Sequence, residues 1–392
     1  MHRYFWTSVV VFLALSVAVF APEAPRASGA PRVGIIPGMA SAGSGSQTNP
    51  QAKTSTQKAQ AAQQAKAHLQ QGNALLEKKD LDGAIREFRR AVRLNPSDAE
   101  ARMALGNALL EKGDVNGAVR ELRAAVRLTP RSPDAHLDLA AALGQKGDWA
   151  GAADEYREAL VLNPQSSSTE RKLSIACFNL GATLSQKQNW DEAIASYREA
   201  LRLNPNDYCA HNNLGLALEG KGQLQEAMTQ EREAIRLSPQ FTPARVNLGL
   251  MMQKSGDLNG AIKVVQEAVR ISPNDWQNHA VLGLMLLEKG DLNGALSEHR
   301  LAVQLGRHLP LPHVDLGRTL AARGDLNGAI AEYREALKIH PNFVPALFYY
   351  SLALEKRGDR FVAGRTLRKA CALDEWDEPA FVAKCKQISP AK

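Results

Sequence analysis

Aromatic residues are scarce. Phe, Tyr and Trp make up 6% of the 392 residues, while alanine and leucine are abundant, a balance that favours helices over sheets. Cysteine is nearly absent as well: Cys177, Cys209, Cys371 and Cys385 form neither a zinc-type pair of spacings nor a disulfide framework for so long a chain. Free, buried thiols are the expected state. The alternatives are a Cys371–Cys385 bridge across a terminal helical hairpin, or a Cys177–Cys209 bridge. There is no large excess of one charge: 48 basic against 41 acidic side chains give +7, which permits an acidic partner without requiring one. Also missing are a nucleophile elbow, a zinc-protease helix motif, a dinucleotide fingerprint and a phosphate loop, so no enzyme class is indicated and no cofactor is expected. Gly43–Ser46 (GSGS) lies in low-complexity sequence and reads as linker.

The chain opens with His2 and Arg3, then an apolar run centred on Val9 to Ala21, then small residues. A spanning helix wants about 20 apolar residues, so the pattern fits a secretory signal peptide better. Pro22 follows Ala21, and Ala24 and Ala30 are also followed by proline, which leaves Ala27 as the unobstructed cleavage position. Residues 1–27 are thus a signal peptide or, uncleaved, an N-terminal anchor. The expected location is periplasmic or extracellular, or at a membrane surface. Residues 28–64, rich in Ser, Gly, Ala, Gln and Thr, are expected to form a flexible linker.

From there the sequence repeats. GDLNGA is written at Gly256, Gly290 and Gly324, a step of 34 residues. The alanine that closes it recurs at Ala84, Ala118, Ala152, Ala193, Ala227, Ala261, Ala295, Ala329 and Ala363, with a single longer step of 41 between Ala152 and Ala193. A second alanine column runs seven residues later. A glycine stands twelve before the first alanine in most units, and most units close on proline. This pattern resembles the tetratricopeptide repeat over residues 65–377, nine units, with the extra residues near 165–172. The resemblance implies an all-α fold: a right-handed α-α superhelix of about nine helical hairpins, a solenoid, with residues 378–388 as a capping helix. In GDLNGA the first glycine suits the left-handed end of one helix, the aspartate caps the next, the leucine packs, and the alanine lies at the helix crossing. Three departures stand out: Arg307 replaces a closing proline, Pro310 and Pro312 follow it, and Arg360 takes a usually apolar turn position.

Three sets of residues are candidates for function. His68, His136, His211, His279 and His313 share one column early in the first helix. Equivalent positions in neighbouring hairpins lie roughly 10 Å apart, too far to share an ion at metal–nitrogen bonds of about 2 Å, so packing is the expected role and no metal is implied. Arg89, Arg93, Arg123, Arg127, Arg198, Arg202, Arg232 and Arg236 recur in second helices. They form either a basic convex ridge for anionic lipid, polymer or acidic protein, or cations opposing helix C-terminal dipoles and pairing with glutamates one turn away. No aromatics interleave with them for base stacking, and nucleic acid is not expected as a partner.

The third set is the concave groove that the resemblance places on the first helices. Asn179, Asn213 and Asn247 share one groove position and Asn73 and Asn107 another. These resemble the asparagine ladder in the repeat domain of O-linked N-acetylglucosamine transferases, whose amides grip a peptide backbone; equally, asparagine is common at these positions. Phe178, Val246, Leu250, Leu284 and Phe348 are expected to supply apolar surface beside them. Leu69 and Phe178 stand where chaperone-binding relatives carry a clamp lysine, so a chaperone-tail receptor is not expected. The sequence therefore points to a non-catalytic scaffold binding extended or helical segments of other proteins in its groove. The alternatives are a membrane-tethered scaffold acting through the ridge, and a self-assembling solenoid.

Overall fold

The computed structural model describes residues 50–373 and 376–388, among which there are nineteen α-helices and no strand. They are α1 (Pro50–Glu77), α2 (Leu81–Leu94), α3 (Ala99–Glu111), α4 (Val115–Leu128), α5 (Pro133–Lys146), α6 (Trp149–Leu162), α7 (Ser167–Gln186), α8 (Trp190–Leu203), α9 (Tyr208–Gly220) and α10 (Leu224–Leu237). There follow α11 (Thr242–Lys254), α12 (Leu258–Ile271), α13 (Trp276–Lys289), α14 (Leu292–Leu305), α15 (Pro310–Ala322), α16 (Leu326–Ile339), α17 (Val344–Arg357), α18 (Arg360–Leu373) and α19 (Pro379–Ile388). Odd-numbered helices up to α17 are the first members of hairpins and even-numbered ones the second. The signal or anchor at 1–27 and the linker up to residue 49 lie outside the described residues. The rest of that expected linker, residues 50–64, is helical instead, as the start of α1. Between Gln51 and Gln71 it holds neither glycine nor proline and is rich in Ala, Gln and Lys, all strong helix formers.

The described residues fall into two compact units. The first runs to Gln186 and takes in Ala195–Pro205; the second consists of Lys187–Ile194 and the chain from Asn206 onward.

In both units the hairpin turns are built alike. In the first, Gly113 and Gly147 adopt φ of +88° and +84°; in the second, Gly222, Gly256, Gly290, Gly324 and Gly358 do the same. This left-handed step ends the first helix, and glycine takes it without a Cβ penalty. Two repeats lack the glycine, and there Lys79 (φ 63°) and Gln188 (φ 58°) carry the same conformation. The aspartate that follows is the N-cap: Asp114 accepts from the Gly117 N–H at 2.9 Å, Asp257 from Gly260 at 2.8 Å and Asp325 from Gly328 at 2.8 Å. The second glycine of GDLNGA has its own reason. A Cβ on Gly260 would lie 2.2 Å from the capping Asp257 carboxylate, and one on Gly328 2.4 Å from Asp325.

Helix-to-helix distance within seven of the nine hairpins is set by a glycine facing a second-helix side chain, Ala140 and Ser351 standing there in the third and ninth. In the first unit a Cβ on Gly72 would meet the Phe88 ring at 2.3 Å, and one on Gly106 the Leu122 side chain at 2.5 Å. In the second unit Gly249 faces Val265 and Gly317 faces Tyr333, each at 2.5 Å. Beside these contacts the first alanine column is fully buried from Ala84 to Ala329.

The departures from the repeat resolve locally. The extra residues lengthen α7, which has 20 residues where other first helices after α1 have 13 or 14, about two added turns. Pro310 opens α15 in its first turn, where a missing N–H costs nothing. At the C-terminal end α19 places Phe381 (2% exposed) edge-on to Phe348 at 5.6 Å and near Trp376, closing over Val344, Leu347 and Leu367. Cys371 and Cys385 are bonded across this α18–α19 pair, with Cα atoms 5.6 Å apart, so the expectation of free thiols there is corrected. Cys177 and Cys209 are free.

Two measurements follow. Gly317→Ala should destabilise the protein by about 1–3 kcal/mol, since the buried Tyr333 ring has nowhere to go; an unchanged urea midpoint would show slack in the hairpin. Cys371→Ser should cost about 3 kcal/mol for a loop of this length, and reductant should lower the wild-type thermal midpoint to that of the variant while leaving the variant unmoved.

Candidate functional site

Three successive first helices of the first unit, α1, α3 and α5, enclose an open cleft of about 380 Å³. Leu69, Met103 and Ala104 form its apolar floor, and Asn73 and Asn107 line it. Both asparagines are exposed, as a groove residue should be. The Asn73 amide forms no hydrogen bond among the described residues, and Asn107 donates through Nδ2 to Asp138 Oδ2 at 2.7 Å. Every charged side chain lining the cleft is a carboxylate: Glu100, Asp134 and Asp138. Burial pushes the Asp138 carboxyl above its usual range and Asp134 adds to the rise, against the Asn107 hydrogen bond and the charge of Lys172. Sequence reasoning found the two asparagines here and missed the three acids. Their signal was present in the 34-residue register, where Glu100 and Asp134 share a column and Asp138 stands in the column of Ala104.

The other groove candidates are placed differently. In the first unit Asn179 is 8% exposed, and its amide nitrogen has no hydrogen-bond partner among the described residues. Phe178 is half-buried, edge-on to Tyr197 at 5.8 Å. In the second unit Asn213 and Asn247 are 7% and 3% exposed. Asn247 donates to Asn212 Oδ1 at 2.9 Å and to Glu231 Oε1 at 3.4 Å, and Asn212 donates to Asn213 Oδ1 at 3.1 Å. These amides are engaged inside the protein. Val246 and Leu250 belong to the core with Val265 and Val281, and Phe348 lies under α19, so none of the three is the open groove surface expected; Leu284 is half-buried. First-helix columns are shared between solvent and the next hairpin, and these residues fall on the packed side.

All eight ridge arginines are exposed. Arg89, Arg93, Arg123, Arg127, Arg202 and Arg232 form no ion pair among the described residues, whereas Arg236 pairs with Glu233 at 2.6 Å and Arg198 also has a partner. The histidine column is structural. Four of its members place Nδ1 against a glutamate nineteen residues on: His68 against Glu87, His136 against Glu155, His279 against Glu298 and His313 against Glu332, at 2.6–2.7 Å. His211 meets Gln230 at 2.8 Å in the same way. The other ring nitrogen of His136 and His279 lies 3.1 and 2.8 Å from the Pro130 and Pro273 carbonyls, which close the preceding repeats. Arg102 replaces histidine in the second repeat and bonds both equivalent groups, the Pro96 carbonyl and Glu121. His136, His279, His313 and Arg102 thereby tie the two helices of their own hairpin to the end of the one before. Among the described residues no three His, Cys, Asp or Glu side chains gather as a metal site, and no helix is long and apolar enough to cross a membrane.

Tetratricopeptide repeat profiles match residues 103–167 and 314–374 and, separately, 210–241; a TPR repeat profile matches 72–113 and 181–222. Together they span more than half of the chain. It is a tetratricopeptide repeat protein. No curated protein sequence matches it. Solved structures to which it is similar include YrrB, described as a TPR protein with an unusual peptide-binding site (23% identity, 50% of this chain and 97% of that one, TM-score 0.39), and yeast Tom70 (14% identity, 83% and 95%, TM-score 0.44). MamA is another (25% identity, 45% and 93%, TM-score 0.36). Likenesses of this size carry no inference about the site.

Within this tetratricopeptide framework, two core positions depart from the apolar pattern. The large residue facing the first-helix glycine is Phe88, Leu122, Tyr197, Val265 or Tyr333 in other repeats that have the glycine, but Glu231 and His299 in the fifth and seventh. Glu231 is fully buried, and burial raises its carboxyl well above the ordinary 4.5. His299 is fully buried between Thr319 Oγ1 at 2.7 Å and the Ala280 carbonyl at 3.3 Å, and burial lowers it to about 4. Cys177, the buried free thiol, is pushed up to about 12 by burial and the Glu199 charge, which removes it as a nucleophile.

The two buried groups act on stability in opposite pH directions. Unfolded Glu231 ionises near 4.5 and the folded form resists, so stability is lost as pH rises above that value; Glu231→Gln, which keeps the acceptor for Asn247, should raise the urea midpoint at pH 7 and leave it nearly unchanged at pH 4. Unfolded His299 takes a proton near 6.5 that the folded form refuses until about 4, so stability falls with falling pH across that window, by on the order of 3 kcal/mol. His299→Val, copying Val265, should flatten that acid limb. An unaltered slope in either variant would contradict the assignment.

Proposed function

We propose that this protein is a non-catalytic scaffold that captures a segment of a partner protein along its first-helix face, with the α1–α3–α5 cleft as the principal contact. The observation that carries this reading is the cleft itself: an apolar floor and two exposed asparagine amides, repeated at one register on successive helices. An amide has both a donor and an acceptor, which suits it to an extended backbone irrespective of side-chain sequence. Asn179, Asn213 and Asn247 are buried and are not assigned to the contact. The fold is of a kind used for protein–protein interaction, and the buried thiol and histidine described above lack the exposure that catalysis needs. The start of the sequence supports a location outside the cytoplasm, free or held at a membrane.

A second reading places the partner on the ridge, favoured by six exposed arginines without ion pairs. One experiment separates the two. A photo-crosslinking side chain at Met103 (cleft) or at Arg123 (ridge) in the full chain should give a discrete protein adduct in cells only from Met103. Adducts from Arg123 alone would move the function to the ridge.

A further inference from the structure

The charge of the cleft runs against the charge of the chain. The whole protein carries +7, and the second helices of the same unit present Arg89, Arg93, Arg123 and Arg127 to solvent. Yet the three charged side chains lining the cleft are all acids, on two adjacent helices: Glu100 on α3, Asp134 and Asp138 on α5. Random placement in a basic protein does not favour this segregation. Asp138 is also partly buried, with Asn107 as its hydrogen-bonding neighbour, and Lys172 of α7 acts on it without lining the cleft. A carboxylate withdrawn from water beside a second one is held at a cost that an incoming cation relieves.

We propose that the cleft selects an extended segment bearing lysine or arginine, its backbone against Asn73 and Asn107 and its cationic side chains toward Glu100, Asp134 and Asp138. The inference rests on the reading of the cleft as a segment-binding groove and adds the chemistry of the occupant. Three helix axes at roughly 8–10 Å spacing span about five or six residues of extended chain. The basic residues belong toward the α5 side, where two of the three acids lie.

The test is fluorescence anisotropy with the full chain at low ionic strength, using a ten-residue peptide alternating lysine and serine, and matched peptides with glutamine or glutamate for lysine. The lysine peptide should bind saturably and the glutamate peptide should not. Glu100→Gln/Asp134→Asn/Asp138→Asn should weaken the lysine peptide by about tenfold or more, as expected for three exposed to half-buried charges. Glu158→Gln/Glu267→Gln/Glu335→Gln makes the same change in net charge on exposed second-helix positions and should leave binding as in the wild type. Equal losses in both triple variants would overturn the inference by reducing it to net charge. If the glutamine peptide binds as tightly as the lysine peptide, and Asn73→Ala/Asn107→Ala weakens both, selection by charge fails while groove capture stands. If no peptide binds, both readings fall.

Discussion

A missing side chain holds the repeat together. Where Gly72 faces Phe88, Gly106 faces Leu122 and Gly317 faces Tyr333, one added carbon would lie 2.3–2.5 Å from its neighbour. That contact fixes how closely the two helices of a hairpin approach, and the buried alanine columns keep the same distance along the rest of the crossing. The turn has to deliver the second helix at that distance. Hence the left-handed residue, the capping aspartate and the glycine that leaves the cap its space. GDLNGA is a compact statement of these needs, and none of its residues is spared for chemistry.

Given so strict a frame, most polar residues that enter the interior find partners, although Asn179 Nδ2, Glu231 Oε2 and Arg245 Nε have none among the described residues. His136, His279 and His313 do so by reaching a glutamate on the facing helix and the last carbonyl of the preceding repeat, and Arg102 reaches the same two groups with different atoms. Glu231 and His299 go further and occupy the position of a core aromatic. Glu231 accepts from Asn247 at one oxygen while its Oε2 has no partner among the described residues, His299 meets Thr319 and a backbone carbonyl, and both are driven toward their neutral forms by burial. The second unit thereby contains a chain of three buried amides and one acid, Asn213–Asn212–Asn247–Glu231, in the register where a binding ladder was expected. Hydrogen bonds of that kind specify packing.

The open surface of the first unit has the contrary character. Asn73 and Asn107 are free or bonded at the edge of a cleft, its floor is apolar, and the charges lining it are of one sign, while α2 and α4 present Arg89, Arg93, Arg123 and Arg127 to solvent. Placing those acids and those arginines on different faces of the hairpins needs no extra structure, because the repeat assigns each column to one face.

Period and spacing alone determined the hairpins, their caps, their number and the helical closure at the C-terminus, since these depend on interactions within a few turns and recur nine times. The same reading placed Asn73 and Asn107 in the groove. What it left undecided was depth. Leu69, Met103, Leu137, Val314 and Phe348 occupy one repeat column, yet Leu69, Val314 and Phe348 are buried while Met103 and Leu137 are half-exposed. A column number gives the direction from the helix axis, but exposure depends on how the adjacent hairpin leans against it, which no single repeat encodes. For the same reason Val246, Asn213 and Asn247 passed from groove to interior, the acids of the cleft came together unannounced, and Cys371 met Cys385. Each of these is a contact between separately specified helices, and only their packing brings the side chains within reach.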